Sequence, residues 1–224
     1  MRYIAATLTA TIWVCSNSFF AFADEAEDRA VAHVLKLGGK VVYQKLAGVP
    51  DLTVILSGVQ ITDANLKEMS ALKMLDALFL LDTSVTDAGI KDVAQFKRLT
   101  QLSLRGAKIT DKGLKEISGL KKMFVLDLSK TAISDEGLKS IADFKELSNL
   151  RLDGTKVTDA GLKYLSCLAV LRDLSLDNTA VSDAAAKDLV MLKCLDTLSL
   201  FNTKVTHVGE ARIRNSVPLC KVYR

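Results

Sequence analysis

Residues 156–165 have the sequence KVTDAGLKYL, and close variants occur as SVTDAGIKDV at 84–93, KITDKGLKEI at 108–117 and AISDEGLKSI at 132–141. The Thr/Ser-Asp dipeptide inside this phrase starts at Thr62, Thr86, Thr110, Ser134, Thr158 and Ser182, and a Thr-His pair starts at Thr206. Each start is 24 residues from the next, with no insertion or deletion. A fixed period of this length predicts a solenoid whose units pack on their neighbours.

Apolar residues keep the same period and give each unit the pattern L-x-x-L-x-L-x-x-T-x-V. The first column runs through Leu75, Leu99, Met123, Leu147, Leu171, Leu195 and Leu219. The alternating L-x-L predicts a short strand with one buried face. After the dipeptide the apolar spacing becomes three, as at Leu114, Ile117 and Leu120, which predicts one face of a helix.

The dipeptide and the glycine that follows it predict how each helix begins. Thr or Ser before Asp is a typical N-cap, and the Asp carboxylate is favoured near the positive end of a helix. Glycine recurs in the first turn of most units, as at Gly89 and Gly161, although it is a poor helix former. We therefore expect the backbones of neighbouring units to pack tightly at this point.

These units resemble the leucine-rich repeat family over residues 51–224. The resemblance implies an α/β solenoid with a curved parallel sheet on the concave face and helices on the convex face. The usual Asn at the corner after the strand is replaced by Thr in most units, and a buried Thr hydroxyl can donate to a backbone carbonyl in its place. The Thr-Asp-x-Gly-Leu form looks like the repeats of exported bacterial leucine-rich proteins. It is also similar to those of F-box-type substrate receptors.

The N-terminus has the pattern of an export signal, which favours the exported type. Arg2 precedes an apolar run over 4–14, and AFA at 21–23 fits the small-x-small cleavage rule before an acidic stretch. The pattern predicts a mature chain that begins at Asp24 and is secreted or periplasmic, with no stable membrane span after cleavage. The alternative is an uncleaved anchor, since 3–23 could span a bilayer despite the polar SNS at 16–18.

We expect four segments along the chain. They are the signal peptide at 1–23, a capping helix and strand at 24–50, seven 24-residue repeats at 51–216, and a partial capping repeat at 217–224. Within the first cap, 25–37 predicts an amphipathic helix and KVVYQ at 40–44 predicts an edge strand. Glu210 and Ser216 replace apolar positions of the last helix, which predicts that this helix is weak.

Composition argues against several functional classes. Without 1–23 the chain loses one charge and keeps 29 Lys+Arg against 26 Asp+Glu, a net charge of +3 that is too small and too evenly spread to favour nucleic acid. Cys167, Cys194 and Cys220 are too few for a disulfide scaffold, although a Cys194–Cys220 pair stays open. No His, Cys or carboxylate cluster has the spacing of metal ligands, so we expect no metal and no cofactor.

Strand alternation directs three side chains of each unit to the concave face. The candidate binding residues among them are Phe79, Leu81, Arg105, Asp127, Arg151, Asp153, Asp177, Phe201 and Tyr223. An exposed apolar patch at Phe79 and Leu81 would mark a contact site, unless the N-terminal cap folds over it.

Asp153 and Asp177 occupy one column on adjacent strands, about 5 Å apart. A carboxylate pair at this separation could serve a retaining glycosidase or bind calcium, but an open sheet offers no water-excluding pocket. We therefore expect a module that is not an enzyme and that binds another protein through its concave sheet. The alternatives are a structural or envelope-associated protein that packs through its convex face or ends, and an enzyme that uses the Asp153/Asp177 pair.

Overall fold

The computed structural model describes residues 25–46 and 49–224, so the predicted signal peptide lies outside the described residues. The described chain forms one sheet of nine strands in chain order. The strands are β1 (Lys40–Leu46), β2 (Val49–Ser57), β3 (Leu75–Leu81), β4 (Gln101–Ser103), β5 (Val125–Asp127), β6 (Asn149–Arg151), β7 (Asp173–Ser175), β8 (Thr197–Ser199) and β9 (Lys221–Tyr223). The helices are α1 (Glu25–Lys36), α2 (Asp63–Glu68), α3 (Asp87–Val93), α4 (Asp111–Glu116), α5 (Asp135–Ile141), α6 (Asp159–Leu162), α7 (Ala186–Leu189) and α8 (His207–Ser216).

Strands β2 to β9 are parallel, and residues 24 apart lie side by side. Leu78 pairs with Leu102, and Leu102 pairs with Leu126, so the sheet advances by one repeat per strand. These leucines are buried between the sheet and the helices, which stack in the same order behind it. The predicted α/β leucine-rich solenoid, with strands on one side and helices on the other, is therefore confirmed.

The N-terminal end of the array is closed by α1 and β1. Strand β1 pairs with β2 in the antiparallel direction, so it extends the sheet in its own plane. Helix α1 packs against β1 and α2 and buries Ala30 and Val34. The amphipathic helix and the edge strand predicted for this segment are both present, and they lie at the end of the array. No helix within residues 25–46 and 49–224 is both long and apolar enough to cross a bilayer.

In the units after α2, the Thr or Ser that begins each helix is hydrogen-bonded to an aspartate of the preceding unit. Asp135 Oδ1 accepts from the Thr158 backbone N–H at 2.8 Å, and Asp135 Oδ2 accepts from the Thr158 hydroxyl at 2.7 Å. The Thr158 oxygen caps its own helix by accepting from Ala160 N–H at 3.3 Å. The same pattern joins Asp63 to Thr86, Asp87 to Thr110, Asp111 to Ser134, Asp159 to Ser182 and Asp183 to Thr206. We call this series the aspartate relay.

The recurring glycine makes room for the aspartate relay. A methyl group on Gly161 would collide with the carboxylate of Asp135, so the close packing expected between units is confirmed. The first unit carries Asn65 at this position, where no aspartate from an earlier repeat approaches. Asn65 Oδ1 instead accepts from its own unit's Thr62 N–H at 2.8 Å, and Asn65 Nδ2 lies 3.3 Å from His33 Nε2 of α1. Helix α2, the first helix of the repeats, is therefore capped by a residue of its own unit, and Asn65 links it to α1 at the N-terminal end of the array.

The corner after most strands combines a left-handed residue with a threonine, and Val59 and Ala107 replace the threonine in two units. Positive φ occurs at Gly58, Asp82, Gly106, Lys130, Gly154, Asn178 and Asn202, which is the same position in seven units. The following threonine donates to the carbonyl three residues back, as Thr131 does to Leu128 at 2.6 Å and Thr155 does to Leu152 at 2.7 Å. The predicted replacement of Asn by Thr is thus confirmed at these corners. Thr83 differs, because its buried hydroxyl has no hydrogen-bond partner within the described chain.

The C-terminal end departs from the sequence pattern in two ways. Leu219 is 88% exposed, and the buried place of its column is taken by Cys220, which is 4% exposed. Cys220 N–H bonds Val217 C=O just as Leu195 N–H bonds Leu192 C=O, so the turn before β9 comes one residue late. The column prediction for Leu219 was wrong because α8 runs longer than the repeat helices α2 to α7.

The last helix, predicted to be weak, forms and is held by polar contacts. Helix α8 spans ten residues, and it buries Gly209 and Ile213. Glu210 accepts from Arg214 at 2.9 Å and from Arg224 at 3.1 Å, and these hydrogen bonds lower the pKa of Glu210. Arg214 Nη2 also donates to the Val222 carbonyl at 2.5 Å, so polar contacts close the end of the array where apolar packing was expected.

Candidate functional site

The concave face presents three rows of side chains that cross the strands. The middle row is ordered by the strand register, because Ile55 pairs with Phe79, Phe79 with Ser103, Ser103 with Asp127 and Asp127 with Arg151. It continues through Ser175 and Ser199 to Tyr223. The candidate residues predicted from the sequence all lie in this row or in the row two residues further along each strand.

The N-terminal part of this face carries what we call the apolar–arginine patch, formed by Ile55, Phe79, Leu81 and Arg105. The three apolar side chains are half-buried, although strand alternation directs them away from the core. Because β1 continues the sheet beside β2, the described part of the cap lies next to this patch and does not cross it. The patch therefore keeps apolar surface available on rigid strands.

Arg105 differs from the other candidate arginine in having no partner. Within the described residues its guanidinium makes no hydrogen bond and no ion pair. Arg151, by contrast, donates to Asp153 Oδ2 from Nε at 3.3 Å and from Nη2 at 3.2 Å. Arg105 is thus a half-buried cation whose five donors are all unused by the described chain.

The three candidate aspartates belong to what we call the aspartate–serine network. Asp127 accepts from Ser129 N–H at 2.9 Å, and the Ser129 hydroxyl also reaches Asp153 at 3.3 Å. Asp153 accepts from the Ser175 hydroxyl and from Asp177 N–H as well. Asp127 thus accepts from the corner of its own unit, whereas Asp153 accepts from the following unit.

Asp177 extends the network to the last strands. Its Oδ1 accepts from the Ser199 hydroxyl at 2.7 Å and from Phe201 N–H at 2.8 Å. Carboxylates that accept this many hydrogen bonds have a structural role in holding neighbouring units together. The sequence did not show this role because the donors lie 22–24 residues away along the chain. A serine 22 residues after Asp153 and another 22 residues after Asp177 were the signal that could have indicated it.

The C-terminal end of the concave face carries an aromatic pair. Phe201 and Tyr223 are each 47% exposed, and they lie diagonally across adjacent strands because Tyr223 pairs with Ser199. Rings at this separation are within reach of one another. They give the face a second apolar area, separated from the apolar–arginine patch by the aspartate–serine network.

Comparison with known proteins agrees with this architecture. A family model described as leucine-rich repeat matches residues 98–118 and 121–142, which are parts of two successive units. The chain therefore contains leucine-rich repeats. No curated protein sequence matches the chain.

Two solved leucine-rich repeat structures are similar to this one. Internalin C2 (InlC2) of Listeria monocytogenes aligns with a TM-score of 0.61 at 26% identity, over 77% of this chain and 69% of that chain. Internalin F (InlF) of the same organism aligns with a TM-score of 0.45 at 18% identity, over 75% of this chain and 57% of that one. Repeat scaffolds of this kind suggest a module for protein interaction, because stacked units create an extended concave surface.

The two carboxylates considered for a catalytic or metal site, those of Asp153 and Asp177, are already hydrogen-bonded within the repeats. Asp153 and Asp177 both accept hydrogen bonds from a serine hydroxyl and from a backbone N–H of the next unit. Among the described residues, no group of three or more His, Cys, Asp or Glu is placed to hold a metal ion. The geometry of the pair is therefore explained by repeat packing.

Two other surfaces of the leucine-rich repeat protein stand apart from the concave face. On the convex side, a groove of about 450 Å³ between α4 and α5 is lined by charges of both signs, including Lys121 and Asp143, which are 3.3 Å apart. The second surface is what we call the apolar loop edge, formed in the helix-to-strand loops of the last units by Cys167, Val170, Met191, Cys194 and Leu219. Arg98, Lys122 and Glu146 hold one of these loop positions in earlier units.

Proposed function

We propose that the chain is exported and acts as a binding module that holds a protein partner on its concave sheet, as in the exported bacterial type of leucine-rich repeat protein. The observation that carries this proposal is the apolar–arginine patch, because half-buried Phe79 and Leu81 keep part of their apolar surface accessible beside Arg105, which is unpaired within the described chain. Accessible apolar surface beside a cation with unused donors favours a contact site.

The dimensions of the face support the same function. Eight parallel strands at about 4.8 Å give a surface roughly 34 Å long, which is enough for a standard protein interface. Binding energy in such interfaces concentrates in aromatic and arginine anchors. We assign that role to Phe79, Leu81, Arg105, Phe201 and Tyr223. The polar surface between the two apolar areas is formed by Asp127, Arg151, Asp153 and Asp177.

Alanine variants test the binding surface. Phe79→Ala combined with Phe201→Ala should weaken binding at least tenfold, because each apolar area loses an aromatic side chain. Lys115→Ala on the convex side is the matched control and should leave binding unchanged. The readout is quantitative mass spectrometry of proteins retained from the envelope and medium of the source cells, with melting curves for each variant. Binding that survives the double change but is lost in Lys115→Ala would refute the concave site.

Export has its own test. Mass spectrometry of protein isolated from the source cells should find a mature N-terminus at Asp24 in a secreted or periplasmic fraction, because AFA at 21–23 is the predicted cleavage signal. Recovery of the intact chain from the cytoplasm would contradict the proposal.

A second candidate function is packing against an envelope structure, and the apolar loop edge favours it. Val170 is 43% exposed, Met191 60% and Leu219 88%, which makes an unusual run of apolar surface outside the concave face. Under this alternative, Val170→Lys with Met191→Lys should abolish retention of the captured proteins while the concave double variant behaves as wild type. The opposite result would assign retention to the concave sheet.

A further inference from the structure

The two halves of the concave face differ in how much hydrogen-bonding capacity they leave for a ligand. In the C-terminal half, Asp127, Asp153 and Asp177 are occupied by serine hydroxyls and backbone N–H groups, and Arg151 is occupied by Asp153. In the N-terminal half, Arg105 follows β4, and its guanidinium makes no hydrogen bond and no ion pair within the described residues. The exposed Lys40 of β1 lies beyond Ile55 at the edge of the sheet. The apolar–arginine patch itself therefore offers a ligand one guanidinium beside an apolar surface.

We infer that this patch recognises a protein segment in which one carboxylate side chain stands beside large apolar side chains. The carboxylate binds Arg105, and the apolar residues pack on Phe79 and Leu81. This inference rests on the proposed concave binding and adds the chemistry of the partner to it.

The spacing of the patch fits one short segment. Arg105 and Leu81 occupy the same position of successive units, so neighbouring strands place them about 5 Å apart, and Phe79 lies roughly 7–8 Å away on the diagonal. An extended segment advances about 3.4 Å per residue, so a carboxylate and an apolar side chain within two or three residues of each other reach both contacts.

Charge complementarity selects the carboxylate. Arginine binds a carboxylate through two parallel hydrogen bonds, and a partly buried, unpaired guanidinium gains most from such a partner. The surface beyond Arg105 is acidic, with Asp127 and Asp153 on the following units. A single carboxylate can approach Arg105 without entering that acidic area, whereas an extended polyanion would have to cross it.

A displayed library of random twelve-residue peptides, selected on the purified protein, tests the inference. Selected peptides should carry Asp or Glu within three residues of Leu, Ile, Phe, Trp or Met. Arg105→Gln should weaken binding of these peptides at least tenfold with little change in melting temperature, because the guanidinium makes no hydrogen bond or ion pair within the described chain and glutamine keeps part of the aliphatic stem. Selection on Arg105→Glu should yield Lys or Arg in place of the acid, and Lys115→Gln is the control that should change nothing.

The outcomes separate this inference from the function it rests on. Peptides without an acid, or peptides indifferent to Arg105→Gln but lost in Phe79→Ala, overturn the partner chemistry and leave concave binding intact. Peptides lost only in Lys115→Gln or Met191→Lys contradict both. A library that yields no sequence above background counts against a short acidic segment, and retention on heparin that Arg105→Gln abolishes would assign a polyanion instead.

Discussion

Removing one carboxylate of the aspartate relay should destabilise two units at once. In Asp135→Ala, Thr158 loses the acceptor of its backbone N–H at 2.8 Å and the acceptor of its hydroxyl at 2.7 Å. Hydrogen bonds to charged groups contribute about 1.5–3 kcal/mol each, and the two bonds here share one partly exposed carboxylate. We therefore expect a loss of about 2–3 kcal/mol in the free energy of unfolding, measured by urea denaturation followed by circular dichroism.

Three further variants make the reasoning specific. Asp135→Asn keeps an oxygen for Thr158 N–H but loses the acceptor of the hydroxyl, so it should cost roughly half as much. Gly161→Ala should also destabilise, although alanine normally favours a helix by about 1 kcal/mol, because the new methyl group collides with Asp135. In the double variant with Asp135→Ala the collision with the carboxylate disappears and only the 3.0 Å approach to the Cα of residue 135 remains, so the two changes should be less than additive.

The control for this prediction is another acid in the same unit. Asp143 is exposed and pairs only with exposed Lys121 at 3.3 Å, so Asp143→Ala should change the unfolding free energy by about 0.5 kcal/mol or less. If Asp135→Ala proved no more costly than Asp143→Ala, the relay would not stabilise the array. Ala185 already occupies the glycine position of its unit, where a 3₁₀ turn over Asp183–Ala185 accommodates it, so Gly161→Ala should weaken the fold without abolishing it.

Three other predictions concern stability. Lys130→Asn should raise the free energy of unfolding by about 0.5–1 kcal/mol, because a φ of 58° strains lysine more than asparagine. An unchanged or lower urea concentration at the midpoint of unfolding would contradict this. The hydrogen-bonded carboxylates Asp183 and Glu210 have lowered pKa values, so their stabilisation is present above pH 4.5 and is lost as the pH falls through the folded pKa values. The hydrogen-exchange protection factors of the last unit, corrected for the intrinsic pH dependence of amide exchange, should therefore fall below pH 4.5, and unchanged protection factors would refute this. Leu126→Ala should cost about 2–5 kcal/mol and quicken exchange most in the units next to it, whereas a uniform increase along the chain would contradict nearest-neighbour packing.

The fold could be predicted from the sequence because the buried residues recur with a constant period of 24 residues. Leu78, Leu102 and Leu126 recur at a fixed interval, and a helix cap follows each strand at a fixed distance. The aspartate relay was predicted only in part. The sequence indicated that the Asp135 carboxylate is favourable at the N-terminus of its own helix, but it did not indicate the contact with the next unit. The actual partner of Asp135, Thr158, is 23 residues away, and only the stacking of units brings the two together.

The candidate site could be predicted in position but not in chemistry. Strand alternation was enough to place Arg105 and Asp153 on the concave face. Whether a charged side chain is free or occupied depends on its neighbours across the strands, so Asp153 turned out to be engaged while Arg105 is not. The late turn at Cys220 was also invisible, because the length of α8 depends on polar contacts of Glu210 that no apolar pattern records.

Site-specific photocrosslinking in the source cells tests concave binding most directly. A photoreactive amino acid placed at Gln101 or Thr197, on the concave strands, should form a covalent adduct with one protein partner. The same amino acid at Lys91 or Lys187, on the convex helices, should form none, because those exposed positions face away from the sheet. Adducts from the convex positions alone, with none from Gln101 or Thr197, would contradict the proposal that the partner is held on the concave sheet.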